Sequence, residues 1–262
     1  SKNVLDKIEE SNYLYSPYVP RLLTAPHGGI LVNRMLNGKY IQIPKKKIVI
    51  DEETLMDVEQ IAIGAYSPLE GFMNKEDFYS VVEKMRLSNG IVWHVPIILQ
   101  VDEKTSENIK FGDNISLCYG KNKEVYAVLN VEEVFKINKE EAARKIYGTN
   151  DLNHPGIKSF VEKGEFVVGG KIVLIKRRDS PYKKYELTPS QTRRIFVERG
   201  WAKVIGFHTR NVIHKSHEFI QLEGLKNSLA DGLFVHPVIG KKKKGDFEAE
   251  VIIKSYEKMI DK

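Results

Sequence analysis

VIGFHTRNVIHKSHEFIQ, Val204–Gln221, decides the fold of the second half of the chain. Its apolar start reads as a strand over Lys203–Phe207, followed by a polar loop at His208–Val212 and a helix from Ile213 to about Ser228. Upstream, Thr188-Pro189 has the form of a helix cap followed by proline at the first helical position. The spacing predicts a helix over Ser190–Arg199, closed by Gly200. Downstream, Asp231–Pro237 reads as a second strand and Ala249–Ile260 as a last helix. Helix, strand, helix and strand at short spacing imply a parallel sheet with crossovers, an α/β arrangement.

The loop of this unit carries the chemistry. His208, Thr209, Arg210 and Asn211 stand at the carboxyl end of the predicted strand, where open α/β sheets bind ligands. The next helix points its amino end at the same place, and its unpaired N–H groups and dipole favour an anion. His214 and His217 share one face of the first helical turn. Arg210 can grip two oxygens of an oxyanion. The set contains no carboxylate nucleophile and no Walker loop, so it suits transfer by positioning and charge neutralisation, without a covalent intermediate. A His-x-x-His pair alone also occurs on ordinary helix surfaces or among metal ligands. No third ligand is evident, Glu218 pointing elsewhere on the helix, so no metal site is assigned to the protein.

The first half reads as mostly β with inserted helices. Asn114–Tyr119 and Glu124–Val131 form two strands around the turn Gly120–Lys123. Ile91–Val101 is strand-like, but Pro96 demotes it to an edge strand or one broken by a bulge. Helices are expected over Lys75–Met85, capped by Asn74, and over Lys139–Tyr147, capped by Asn138. His27-Gly28-Gly29, Ser67-Pro68 and His154-Pro155-Gly156 read as turns. Gly169-Gly170 precedes a strand at Lys171–Ile175, and the polar Lys176–Leu187 reads as a linker between domains.

Composition bounds the rest. The chain has 262 residues, long enough for two domains. Mean hydropathy is −0.34, and no apolar run approaches the ~20 residues of a membrane span. The start, SKNVLDKIEESNYLY, lacks the pattern of a signal peptide. One cysteine, Cys118, excludes an internal disulfide and reads as a buried structural thiol, consistent with a reducing cytoplasm. A net charge of +6 suits anionic ligands. Its dispersed basic residues, with no aromatic-basic interleaving, argue against a nucleic-acid partner. Lys241–Lys244 reads as a solvated loop, or as one that leans a lysine toward a triphosphate.

With these residues quoted, the sequence resembles the sulfate adenylyltransferase (ATP sulfurylase) family. The family pattern is Gly-Phe-Gln-Thr-Arg-Asn-Pro, followed two residues later by His-x-x-His. This chain has Gly206-Phe207-His208-Thr209-Arg210-Asn211-Val212, then His214 and His217. APHGGILVNR (25–34), GAYSPLEGFM (64–73), GTNDLNHPG (148–156), LTPSQTRRIFVERGW (187–201) and DGLFVHPVIGKKKKGD (231–246) resemble family signatures in the family's order. His208 stands for the family glutamine and Val212 for its proline. The family's downstream Gly-Arg-Asp-His segment has no counterpart.

The resemblance implies an α+β and α/β chain: a PUA-like β-rich domain over 1–175, then a Rossmann-like nucleotidyltransferase domain over 176–262 that is truncated at its C-terminus. It implies a cytoplasmic enzyme of sulfate assimilation and sulfur metabolism. That enzyme turns ATP, as MgATP with Mg2+, and sulfate into adenylyl sulfate (APS) and pyrophosphate. Thr209, Arg210 and Asn211 would be catalytic. His208 and Arg210 would hold sulfate, and the nucleotide would lie against His208, Thr209, Arg210, Asn211, His214 and His217. A homo-oligomer, dimer or larger, is implied as well. The alternatives are a catalytically incomplete nucleotide-binding homologue, another nucleotidyltransferase such as one acting on phosphopantetheine, or an RNA-binding PUA-type protein.

Overall fold

The computed structural model describes residues 22–36, 41–240 and 245–260. The amino-terminal stretch through 21 and the Lys241–Lys244 run, for which expectations were given, lie outside the described residues. The chain divides into two compact units, one of Ala25–Gln191 and one drawn from the ends, through Thr24 and from Thr192 onward.

In the first unit the elements run β1 (Lys47–Val49), α1 (Glu52–Ile63), β2 (Gly71–Phe72), α2 (Lys75–Lys84), β3 (Leu99–Val101), α3 (Glu103–Glu107), β4 (Asn114–Tyr119), β5 (Glu124–Lys136), α4 (Lys139–Tyr147), α5 (Pro155–Glu162) and β6 (Phe166–Leu174). They build one mixed sheet in the order β1-β4-β5-β6-β2, with β3 also on β6. β1 pairs with β4 in parallel and the other pairings are antiparallel. The hairpin β4–β5 turns where the sequence places it. β5 continues to Lys136 because Val134 and Phe135 find partners on β6.

Alternation along β6 explains the two cores. Val167 and Val168 project to opposite faces of the pleat. Val168 joins Leu55, Ile61, Ile115, Leu117 and Leu129 under α1, while Val167 joins Phe78, Phe135, Ile157 and Phe160 under α2, α4 and α5. Asn74 and Asn138 cap α2 and α4 as expected, their side chains accepting from Asp77 and Glu141 N–H. Cys118 is fully buried, its Sγ 3.8 Å from the Ser116 carbonyl, and burial pushes the thiol up. Phe72 is core, and Ser67-Pro68 is a cis turn.

Several expectations are corrected. His154-Pro155-Gly156 opens helix α5: His154 caps it through Nδ1 to Ile157 N–H, and Pro155 takes the first helical position. Gly169-Gly170 lies inside β6 rather than before it. The absence of a Cβ lets other backbone approach there: one on Gly170 would sit 2.1 Å from the Asn130 carbonyl oxygen and one on Gly169 2.7 Å from that of Met73. Of Ile91–Val101 only the last three residues pair in the sheet, all beyond Pro96.

The segment 176–187 is no free linker. Glu59, on α1 with its side chain 3% exposed, accepts from Arg177 Nε at 2.6 Å and from Arg178 N–H at 3.1 Å, with Lys183 Nζ at 3.6 Å. Glu186 adds a second carboxylate to the same three cations. A buried carboxylate needs such partners, since an unpaired charge is costly to desolvate. α1 itself went unread because its apolar positions are interrupted by Asp57, Glu59 and Gln60.

In the second unit, α6 (Pro189–Glu198) starts from a reciprocal cap, its first residues belonging to the first unit. Thr188 Oγ1 accepts from Gln191 N–H at 3.3 Å and Gln191 Oε1 from Thr188 N–H at 2.8 Å. Then come β7 (Val204–Thr209), α7 (Lys215–Ser228), β8 (Gly232–Pro237) and α8 (Ala249–Ile260). β7 and β8 pair in parallel, as helix–strand alternation predicts. Asp231 sets their start, its Oδ2 accepting from Ala202 and Lys203 N–H at 2.9 and 2.8 Å. Trp201 lies over Gly232, where a Cβ would come 2.2 Å from the indole.

Gly232→Ala forces Trp201 off Phe196, on which it stacks at 5.9 Å, and should cost the second unit about 1–3 kcal/mol, read as a lowered unfolding midpoint. Burial lifts the Asp57 carboxyl to about 6, against a hydrogen bond from Tyr66 at 3.3 Å. The folded state therefore keeps this proton to higher pH than the unfolded chain does. The resulting stability is complete below about pH 4 and is lost as pH rises through about 6. Asp57→Asn should remove that decline, a difference on the order of 2 kcal/mol between pH 4 and 7 in urea titrations; an unchanged decline would count against it.

Candidate functional site at the β7–α7 junction

The parallel ladder places Phe207 opposite Val235, His208 opposite His236 and Thr209 opposite Pro237. At its end the Thr209 carbonyl accepts from Val238 N–H at 2.7 Å, so both strands leave the sheet together. Thr209 is buried, and its Oγ1 accepts from Asn211 N–H at 3.1 Å, which turns the chain immediately after the strand. His208 and Thr209 lie in β7 itself rather than in the loop of the sequence reading.

Alternation sends His208 to one face of the two-stranded sheet and Phe207 and Thr209 to the other. Arg210 follows, with its side chain 54% exposed and Nε 3.7 Å from Asp246 Oδ1. Asn211 is exposed. Ile213 N–H donates to Ser255 Oγ on α8 at 3.3 Å, fixing the loop before the helix.

α7 begins two residues later than the sequence reading has it. His214 is its N-cap and offers no side-chain cap, so the first-turn amides are left for another acceptor. Glu218 N–H closes the first turn on the His214 carbonyl at 3.0 Å. The rings of His214 and His217 stack with centroids 3.7 Å apart, and His217 meets the Phe207 ring edge-on at 5.8 Å. The pair at i, i+3 is thus one continuous imidazole surface at the helix start.

Three residues around this junction escaped the sequence reading. His236 brings its Nδ1 to 2.9 Å from Nδ1 of His208. A signal was present: His236 follows Asp231 at the same spacing as His208 follows Lys203, although the sequence reading ends its strand at Phe207. Asp246 meets Arg210 across the Lys241–Lys244 run, and nothing in local spacing announces that pairing. Tyr256, on α8, is buried, and burial lifts its hydroxyl while the Thr209 and Gln221 side chains hold it back. Those neighbours fall short of full hydrogen-bond geometry. The Tyr256 hydroxyl, Gln221 Nε2 and His217 Nδ1 are all buried without a hydrogen-bond partner. Orphaned buried polar atoms are costly in a stable fold, and here they collect at and behind His217.

Arginine, uncapped helix amides and imidazole N–H groups are donors, so the junction can receive phosphate or sulfate oxygens and spread their charge. No group of three or more His, Cys, Asp or Glu able to hold a metal ion occurs among the described residues. No helix among them is long and apolar enough to cross a membrane.

Comparison with known proteins bears on this geometry. Residues 24–177 match the PUA-like domain family and residues 183–262 match the ATP-sulfurylase family. A sulfate adenylyltransferase of Ignicoccus hospitalis is 43% identical over 246 residues, covering 92% of this chain and 63% of the relative. One from Halothermothrix orenii is 42% identical over 244 residues, covering 90% and 63%. The chain therefore spans less than two thirds of the length of these curated relatives. A hexameric APS kinase from Thiobacillus denitrificans superposes with a TM-score of 0.68 at 23% identity, over 91% of this chain and 44% of that one, a likeness of fold. With both domain matches in order, the chain belongs to the PUA-like domain family through residues 24–177 and is similar to sulfate adenylyltransferases along nearly its whole length, its PUA-like domain preceding an α/β domain that matches the ATP-sulfurylase family.

Proposed function

We propose that the chain carries the adenylyl-transfer site of a sulfate adenylyltransferase: MgATP and sulfate give adenylyl sulfate and pyrophosphate. The observation that supports this most is the juxtaposition at one strand end of Arg210 with the stacked His214–His217 pair on an uncapped helix start. In this reading a sulfate oxygen attacks the α-phosphorus. A new P–O bond forms as the bond to the bridging oxygen breaks, and pyrophosphate leaves in line with that electron pair. No residue need become covalently attached, which agrees with the lack of a carboxylate or thiol among the donors.

The roles of the residues in this reading are the ones the family resemblance implies. Arg210 leaves Asp246 for the incoming dianion and steadies the charge that builds on the transferring group. His208 and Arg210 hold sulfate. Thr209 and Asn211 contact phosphate oxygens, and His214 and His217, with the α7 amides, hold the triphosphate in a bent form. His208 joins the nucleotide contacts at the boundary between the two ligands. Mg2+ belongs to the substrate, MgATP, held by phosphate oxygens. The PUA-like domain is assigned 1–175 and the catalytic domain 176–262, in a cytoplasmic homo-oligomer.

The test is pyrophosphate release on mixing the protein with ATP, magnesium and sulfate. Arg210→Ala should lower turnover about 100-fold or more while the circular dichroism melt stays in place. ATP bound without any pyrophosphate release would favour the nucleotide-binding homologue. Activity retained in the alanine variant would remove Arg210 from the mechanism.

A further inference from the structure

The β7–β8 ladder sets His208 opposite His236, with Nδ1 atoms 2.9 Å apart, centroids 5.1 Å apart and ring planes 24° from parallel. At that separation the two nitrogens hold one proton between them: one Nδ1–H donates and the other Nδ1 accepts. The outward nitrogens follow from this. In the neutral pair, His208 Nε2 is bare when its Nδ1 donates, and is an N–H when its Nδ1 accepts. Moving the shared proton, with a matching exchange at the Nε2 atoms, converts one form into the other. Adding one proton to the pair leaves the Nδ1–Nδ1 bond intact, makes both Nε2 atoms donors and adds a positive charge. Adding a second would set two N–H groups against each other.

We propose that His236 is a specificity-determining residue, which through the proton shared with His208 decides how the site meets a tetrahedral oxyanion. The neutral pair is ambivalent, offering His208 Nε2 as donor or acceptor, and so receives an oxyanion that carries its own proton, such as hydrogen phosphate. The singly protonated pair is a donor only, and cationic, and prefers a dianion with no proton to give, such as sulfate. This rests on the reading above that His208 belongs to the sulfate pocket.

The surroundings leave the pair free to act this way. His208, Phe234 and His236 share one face of the sheet, and Phe234 packs there on Phe196 of α6 at 5.6 Å. The charged residues of that helix and its end are engaged elsewhere. Arg193 donates to the Thr24 carbonyl, Arg194 pairs with Glu198, and Arg199 lies over Trp201. From the other face α7 brings His217 to Phe207 and α8 brings Tyr256 toward Thr209. Arg210, just beyond the strand, is held by Asp246. Partial burial keeps His236 below the usual histidine range, and the His208 ring acts in the same direction.

Calorimetric titration of the full chain with sodium sulfate, and separately with sodium phosphate, tests this between pH 5.5 and 8.0. Sulfate affinity should rise about tenfold as pH falls across that range, and phosphate affinity by clearly less. His208→Gln should make sulfate binding independent of pH. His236→Asn keeps a partner for His208 Nδ1 but no second imidazole, so the midpoint should move up toward an ordinary histidine. Circular dichroism confirms that the variants are folded. Sulfate affinity flat with pH in the unaltered protein, no sulfate binding at any pH, or a midpoint unmoved in His236→Asn would each overturn the inference. Pyrophosphate release separates the two readings. Release with flat sulfate affinity defeats this one and leaves the reaction, whereas pH-dependent binding without release does the reverse.

Discussion

The second unit depends on the parallel pairing of β7 and β8 through their last residue. The Thr209 carbonyl is the final acceptor of that ladder, and its hydroxyl begins the turn that follows. One residue therefore ends the sheet and aims the loop. Because the pairing is in register from Val204 to Thr209, strand alternation then decides which side chains can meet. A slip of one residue would place Phe207 where His208 stands and turn the imidazoles inward. Asp231, which accepts two amides from the start of the β7 segment, holds the register at the opposite end.

The same logic divides the candidate site. His208 lies on the α6 side of the sheet, beside Phe234, whereas Thr209 lies with His217, Gln221 and Tyr256 on the other. A strand end is well suited to a two-substrate transfer for this reason, since consecutive residues can serve separate ligands across a narrow backbone edge. Arg210 stands at that edge, more than half exposed and 3.7 Å from Asp246.

Much of this was legible because the signals are local. The caps Asn74, Asn138 and Thr188 act within three residues, and the β4–β5 turn needs only its own four. What was not legible is set by distant partners. α1 has polar residues at Asp57, Glu59 and Gln60 that break its apolar stripe, and Glu59 becomes tolerable in the core only through Arg177 and Arg178, more than a hundred residues away. Gly169-Gly170 suggested a break. Their role is close approach to Met73 and Asn130, contacts that no window around them contains. At the site, the His-x-x-His pair could be read from helical spacing, but the His208–His236 contact needs the register of two strands.

The orphaned polar atoms behind His217 bear on how rigid the site is. A stacked imidazole pair has little orientational freedom only if its outer nitrogens are held, and His217 Nδ1 has no hydrogen-bond partner. Gln221, one turn further along α7, and Tyr256 on α8 are buried beside it with the same deficit. Gln221 Nε2 can only donate, whereas the Tyr256 hydroxyl can donate or accept, so whichever of them engages His217 Nδ1 decides which nitrogen of that imidazole carries the hydrogen.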